Sequence, residues 1–255
     1  MASRASLNIV VPAAGNSVRF KDAGIEIPKP LIELVRPGRG RGTMLEHALQ
    51  PWMGTKDGVK ITVGCQYGED AKEFQARLPR WIDVCGMKPT KGQASTVFNV
   101  ASTFEGGTPL LVINSDVGID YPLDIFATQC QAFHAGALVF PSCDERYSFI
   151  DEYPLFDKPV EKRNISGLAM SGATYFASTN LFLDSFKRHE ESNTRHNGEL
   201  YLSETLGFCP GRKLAVAAQA NQLHQWGTPS EVRDAIDRGE VIIVDPLIHK
   251  KIRGN

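Results

Sequence analysis

Ile9-Val-Val-Pro12-Ala13-Ala14-Gly15-Asn16-Ser17-Val-Arg19-Phe20, carried on through Pro28-Lys29-Pro30-Leu31, is the stretch that decides how this chain is to be read. Leu7 to Val11 is a short apolar, β-branched run, the pattern of a buried strand. Small residues follow at once, and their size lets a ligand approach the backbone closely. Backbone N–H groups in such a loop can cradle phosphates. Arg19 offers a planar fork for phosphate oxygens. Lys29, held between two prolines, presents a point charge from a restricted backbone. GxxxxGK[ST] and GxGxxG are both absent, which removes the P-loop and weakens a dinucleotide site. A strand and a small-residue turn alone would be only a tight β–α connection. Arg19 and the Pro-Lys-Pro step raise the phosphate reading above that.

Working outward, short apolar runs alternate with amphipathic stretches, the rhythm of an α/β fold. Thr43-Met-Leu-Glu46 is a capping box opening a helix to about Trp52. Strands are expected at Val59 to Val63, Ile82 to Val84 and Pro109 to Asn114, and helices at Asp70 to Leu78 and Ala94 to Thr103. A helix from Leu123 to His134 and a strand from Ala137 to Pro141 close this first half. Residues 142 to 177 read as strand-rich and irregular, with turns at Tyr153-Pro154 and Lys158-Pro159. Helices fit Asn180 to Glu191 and Tyr201 to Phe208, and a strand fits Leu214 to Ala218. Thr228-Pro-Ser-Glu231 is a second capping box, opening a last helix to about Arg238. The expected fold is a single α/β domain over residues 1–255. It has one mostly parallel sheet with helices on both faces, a nucleotide-binding half at 1–141 and an acceptor-binding half at 142–255.

The bulk properties narrow the partners. The 255 residues are 42% hydrophobic and 22% charged, enough for a sizeable core, and carry a net charge of -1. A sequence pI near 6.6 disfavours nucleic acid as the main partner. The one dense basic run, Arg36-Pro-Gly-Arg-Gly-Arg41, reads as a flexible solvated loop, or more pointedly as a loop attracting phosphates. Five widely spaced cysteines without a CxxC pair argue against a disulfide framework or a structural zinc site. The N-terminal apolar run is too short for a signal peptide or a membrane span, so a reducing cytosol and no membrane partner are expected. The six histidines show no HExxH or comparable pairing and read as surface or capping residues.

Two further motifs carry chemistry. Leu110-Leu-Val-Ile-Asn-Ser115-Asp116 is a buried strand ending in a carboxylate, where ligands of open α/β sheets bind. A carboxylate there suits magnesium, which takes hard oxygens from one or two carboxylates and from substrate phosphates. Asp120, the next carboxylate, reads more simply as structural. Lys91-Gly-Gln93-Ala-Ser95-Thr96 opens a helix with residues small enough for close contact, and Gln93 has a donor and an acceptor for a base edge. Its plainer reading is a helix start capped by Ser95 or Thr96.

The stretch IVVPAAGNSVRFKDAGIEIPKPLIEL resembles the opening signature of the sugar-nucleotidyltransferase-like (pyrophosphorylase) family, which combines a strand, a glycine loop ending in Arg, and a Pro-Lys-Pro step. The likeness implies a Rossmann-like (GT-A-like) sheet with a strand-rich acceptor half. It implies that the loop (Pro12, Ala13, Ala14, Gly15, Asn16, Ser17) and Arg19 hold a triphosphate, and that Lys29 stabilises departing pyrophosphate. Ser17 stands where many members have a second glycine. Gln93, Ser95 and Ser115 fall beside the nucleoside, and Asp116 on a catalytic Mg2+. Further along, Pro159-Val-Glu161-Lys162 and Ser171-Gly172-Ala-Thr-Tyr175-Phe176 resemble the family's acceptor elements. By that match Lys162 holds the acceptor phosphate, Glu161 its hydroxyls, and Gly172 lets it lie on the strand. Gly198-Glu199-Leu-Tyr201 and Leu223-His-Gln-Trp226-Gly are further matching pieces on the acceptor side. Many members have an Asp two residues before that last glycine as a second metal ligand; here it is Gln225. Either another residue supplies the ligand, or one carboxylate and the phosphates suffice.

The resemblance implies transfer of a nucleotidyl group from a nucleoside triphosphate to a phosphorylated small molecule, most commonly a sugar 1-phosphate, with release of pyrophosphate. Four alternatives stand beside it. The acceptor is phosphocholine-like, or phosphonate-like, in a cytidylyltransferase; the chain is a glycosyltransferase of related fold; or it binds nucleotide without turnover, as Gln225 would allow. The base is open among CTP, UTP, dTTP and GTP, and a homodimer is compatible with the sequence.

Overall fold

The apolar run at the start becomes β1 (Leu7–Pro12), buried at every residue after Leu7. A strand covered on both faces belongs in the middle of a helix-flanked sheet. The computed structural model describes residues 6–53 and 57–254; the first five residues, part of the stretch read for a leader, lie outside them. After β1 come α1 (Val18–Asp22), the hairpin β2 (Glu33–Arg36) and β3 (Gly40–Thr43), and α2 (Met44–Leu49). Both hydrogen bonds of the Thr43–Glu46 capping box are formed at the start of α2. Then follow β4 (Val59–Gln66), α3 (Glu69–Arg77), β5 (Asp83–Met87), α4 (Gln93–Ala101), β6 (Leu110–Ile113), β7 (Val117–Ile119), α5 (Leu123–Cys130) and β8 (Ala135–Pro141). The rest of the chain contributes β9 (Leu155–Phe156), β10 (Leu168–Phe176), α6 (Thr179–Glu191), α7 (Leu202–Gly207) and β11 (Lys213–Ala217). It ends in β12 (Leu223–Gln225), α8 (Pro229–Asp237), β13 (Ile242–Ile243) and α9 (Pro246–Arg253).

The main sheet has eight strands in the order β5-β4-β1-β6-β10-β8-β11-β9. β5, β4, β1 and β6 pair in parallel, as do β8 and β11; β10 and β9 run against them. This is a mixed α/β fold with a large, mostly parallel sheet. Successive side chains of a strand point to opposite faces, and β1 shows the consequence. Ile9 and Val11 enter an apolar layer with Phe74 and Phe126, while Val10 enters another with Val97 and Phe182. A third cluster joins Phe20, Leu34, Trp226, Val232 and Ile252, tying α1 and β2 to α8 and α9. Two small sheets, β12–β7 and β13–β2–β3, stand beside the main one. Among the described residues no helix is long and apolar enough to cross a membrane.

Three expectations are corrected here. Arg36 to Arg41 is not a flexible loop: it forms the turn and strands of the β2–β3 hairpin. Arg36 is buried, donates to Asp120 Oδ2 at 2.9 Å and lies 5.5 Å from the centre of the Trp226 ring. The helix starting at Pro229 is not the last, since α9 follows with Pro246 at its first turn and Asp245 Oδ1 accepting from Leu247 N at 2.7 Å. His47 and His189 are buried rather than superficial, and His189 stacks on Phe208.

Candidate functional site

Parallel strands β1 and β6 end on the same edge of the sheet, so the loop 12–17 and the segment 114–116 form one rim. The rim opens on a cavity of about 320 Å³ lined by Pro12 to Ser17, Lys29, Thr90, Gly92, Gln93, Asn114, Ser115, Asp116, Glu199 and Tyr201. The loop is held from two sides. Gln66, the last residue of β4, donates to the Ala14 carbonyl at 2.9 Å and to Asn16 Oδ1 at 2.7 Å. Ser17 takes a left-handed backbone (φ 51°), and its Oγ accepts the Lys29 N–H at 3.1 Å. That bond joins the small-residue loop to the Pro-Lys-Pro step. Lys29 then delivers its ammonium to Asp116 Oδ2 at 2.6 Å.

Gly92 is required where it stands. Its φ is 120°, and a Cβ there would lie 2.7 Å from both the N and the O of Leu200. Leu200 N donates to the Lys91 carbonyl and the Leu200 carbonyl accepts from Ala94 N, so Glu199 and Tyr201 are brought to the cavity of the strand-end loop. Gln93 lines the cavity with its amide nitrogen on Asn114 Oδ1. Ser95 does not reach it: two residues further round α4, it lines a separate groove with Lys88, Phe98 and Phe186.

A second cavity of about 220 Å³ opens beside the first and shares Gln93, Asn114 and Tyr201 with it. Arg19, Arg146, Lys162, Glu161, Gly172, Ser203 and Gln225 are on its walls. Gly172 has φ 95° at the irregularity in the β10–β8 pairing, and a Cβ would come within 2.8 Å of Asn114 Nδ2. Lys162, also left-handed (φ 52°), donates to the Tyr201 hydroxyl at 2.7 Å and lies 4.4 Å from its ring centre. Burial, reinforced by Glu199 and Glu161, pushes the Tyr201 hydroxyl above its ordinary pKa, so it stays neutral beside the ammonium. The Glu161 carboxylate accepts from Ser148 and, at 2.6 Å, from Ser203. A third cavity of about 440 Å³ has Lys29, Lys162, Arg19 and Gly227 on its walls, so both lysines face one space. Arg19 stands at this junction and in the second cavity; it is not on the wall of the first.

Trp226, expected on the acceptor side, is instead fully buried, with His224 and His47 ring neighbours and Arg36 over its face. The period-2 alternation of an extended chain explains this: Gln225 faces the cavity, donating to the Ser171 carbonyl at 3.2 Å, and its neighbour turns away. Trp226 N donates to the Asp116 carbonyl at 2.9 Å, which sets Gly227 beside Asp116. A Cβ on Gly227 would lie 3.0 Å from Asp116 Oδ2 and 3.1 Å from Glu231 Oε2. Asp120 is structural, paired with Arg36, Arg39 and His224. Among the described residues no group of three or more His, Cys, Asp or Glu is assembled for a metal.

Gln66, Asn114, Arg146, Tyr147, Ser148 and Ser203 belong to this site without having stood out in the sequence. Gln66 and Asn114 share one legible signal, since each stands at the carboxyl end of a parallel strand. Arg146 to Ser148 and Ser203 carry none, because chain segments distant in sequence place them.

In three dimensions the chain is similar to a nucleoside-diphosphate-sugar pyrophosphorylase from Vibrio cholerae RC9 (TM-score 0.75, 21% identity, 90% of this chain and 99% of that one). It is also similar to HddC from Yersinia pseudotuberculosis complexed with GMP-PN (TM-score 0.67, 18% identity, 91% and 99%). A putative glucose-1-phosphate thymidylyltransferase from Bacillus anthracis, in complex with a sucrose, gives TM-score 0.67 at 16% identity over 95% and 99%. These likenesses establish the fold. No protein-family model and no curated protein sequence matches the chain.

Proposed function

We propose that the chain transfers a nucleotidyl group from a nucleoside triphosphate to a sugar phosphate and releases pyrophosphate. The observation that carries this reading is the joint placement of Lys29 and Lys162 on one cavity that links the strand-end loop to the Gly172 strand. A phosphate monoester has a second pKa of about 6, so the acceptor is largely dianionic at neutral pH and attacks the α-phosphorus without a strong base. The protein's task is to bring two anions together and to stabilise the charge that leaves. Lys162 and Arg19 stand on the acceptor side of the junction, and Lys29 stands on the triphosphate side. The names of the structural neighbours, a sugar pyrophosphorylase and a sugar-phosphate thymidylyltransferase, support a sugar acceptor.

The donor set suits magnesium. Asp116 is a hard carboxylate at the cavity, and its Oδ2 is held by the Lys29 ammonium at 2.6 Å. When bound, the cation would neutralise phosphate oxygens. Asp116 would hold it, with substrate oxygens completing the shell.

The Tyr201 face weighs against the phosphocholine alternative. A quaternary ammonium is held by open aromatic rings. Here the Tyr201 ring is already covered by Lys162, and Arg19 and Arg146 add positive charge to the same wall. The test is pyrophosphate release from CTP, UTP, dTTP, GTP and ATP with magnesium, against sugar phosphates, phosphocholine and small phosphonates. Release requiring one triphosphate and one sugar phosphate together is expected. Binding of a triphosphate without release from any pair would sink the transferase reading in favour of a nucleotide-binding regulator, and hydrolysis of a nucleotide sugar without pyrophosphate would favour a glycosyltransferase.

A further inference from the structure

We propose that Tyr201 is a positioning residue, whose hydroxyl and ring hold the Lys162 ammonium where it takes the acceptor phosphate. The inference rests on the transferase reading above and names a residue to which that reading gives no task. Tyr201 lies on the walls of all three cavities, and among the described residues no other does. Lys162 Nζ donates to the Tyr201 hydroxyl at 2.7 Å and stands 4.4 Å from the ring centre, so one side chain offers it both an acceptor and a ring face. Each partner is fixed from behind. Leu200 N donates to the Lys91 carbonyl at 2.8 Å, and Thr205 N donates to the Tyr201 carbonyl at 3.1 Å at the start of α7. The His196 ring meets the Tyr201 ring edge-on, with 5.8 Å between centres. Lys162 N donates to the Tyr147 carbonyl at 3.1 Å from a left-handed backbone.

A phenol is the group this task needs. An ammonium carries three donors. A neutral hydroxyl takes one of them and none of the charge, whereas a carboxylate in its place would neutralise the lysine and compete with a phosphate. Burial first, then the Glu199 and Glu161 charges, push the Tyr201 hydroxyl above its ordinary pKa, which keeps it the neutral partner. Among the described residues the one carboxylate in ion-pair range of Lys162 is Glu161, whose Oε1 is 3.8 Å from the ammonium, beyond hydrogen-bond reach. The other Glu161 oxygen is occupied by the Ser148 and Ser203 hydroxyls. Lys162 therefore keeps donors for an anion at the junction where Arg19 and Lys29 also stand.

The first test is a phosphorus nuclear magnetic resonance titration of wild type and Tyr201→Phe with inorganic phosphate, which needs neither a known base nor turnover. Tyr201→Phe keeps the ring and removes only the hydroxyl. Loss of that one net hydrogen bond should weaken phosphate about three- to tenfold, while melting by circular dichroism stays at the wild-type temperature. The second test is a double-mutant cycle on kcat/KM for the acceptor, read from pyrophosphate release. Tyr201→Phe should lower it by the same factor in the wild type but by less than about twofold in Lys162→Ala, where nothing is left to aim. A purely structural role for Tyr201 would instead add in full to Lys162→Ala. Wild-type phosphate affinity in Tyr201→Phe, full additivity in the cycle, or no phosphate binding by the wild type overturns the proposal. The expected loss of phosphate binding, with no pyrophosphate released by the wild type, would keep Tyr201 as the residue that aims Lys162 and sink the transferase reading alone.

Discussion

On the proposed transferase reading, single side chains divide this site into a triphosphate end and an acceptor end, and substitutions should separate the two. Lys162 is fixed by a left-handed backbone and by Tyr201, so its ammonium is aimed rather than mobile. Losing one charge-assisted contact costs about 2–3 kcal/mol, or roughly 30- to 150-fold. Lys162→Ala should therefore lower kcat/KM for the acceptor by about that factor while nucleotide affinity changes less than about twofold, as steady-state kinetics and nucleotide titration would show. An equal loss on both substrates would remove Lys162 from the acceptor end. Gly172 fails differently. An alanine there meets a φ of 95° and the Asn114 amide at once, a strain of about 1–2 kcal/mol. Gly172→Ala should lower the melting temperature and raise the acceptor KM; an unchanged melting curve would contradict the strain. Both residues were legible in the sequence from their resemblance. Arg146 and Ser203 were not, because each gains its meaning from a wall built by β10 and α7. Trp226 was misplaced because its motif says which residues lie together and the strand's alternation decides which of them face the ligand.

Among the elements, the β2–β3 hairpin is where sequence and structure diverge most. Capped helices are written locally: Thr43 and Glu46, three residues apart, form the full reciprocal box, and Thr228, at the same spacing from Glu231, forms its half, the Thr228 hydroxyl accepting the Glu231 N–H. The hairpin is written at long range. Arg36 and Arg39 are answered by Asp120, more than eighty positions away, and β2 is paired on its other side by β13. A run of arginines and glycines with such distant partners looks like a solvated loop. The Asp120 carboxyl would be raised by burial alone, but Arg36, His224 and Arg39 together hold it below its ordinary pKa. Its folded value is thus below its unfolded value of about 3.9. The stabilisation is complete above about pH 4 and is lost as the pH falls through the folded value. Asp120→Ala leaves the buried Arg36 without its carboxylate, which costs about 3 kcal/mol. Urea unfolding at pH 7 should show that loss, and the gap between wild type and variant should narrow at pH 3. A gap of equal size at both values would mean that packing, not charge, holds the hairpin.

At the scale of the whole molecule, the proposed division between a nucleotide half and an acceptor half does not describe folding. β10, which carries Gly172, is inserted between β6 and β8, and β8 has only β10 and β11 as sheet neighbours. A chain ending at residue 141 would keep β5, β4, β1 and β6 but leave β8 with no partner and β6 with one open edge. The apolar layer beneath β1 would also lose Phe176, Phe182 and Phe186, which pack there with Val97 and Val100. Exposed strand edges and an uncovered apolar face favour collapse without fixed packing, or aggregation. We therefore expect a fragment of residues 1–141 to keep far-ultraviolet dichroism, to lose near-ultraviolet dichroism, to bind a hydrophobic dye and to melt without a cooperative transition. The alternation of short runs and amphipathic stretches made the α/β class legible, yet no local pattern says that a later strand crosses back into the first half's sheet. Cooperative melting of the fragment, with tight triphosphate binding, would show that the first half folds alone and that the acceptor half was added to a finished domain.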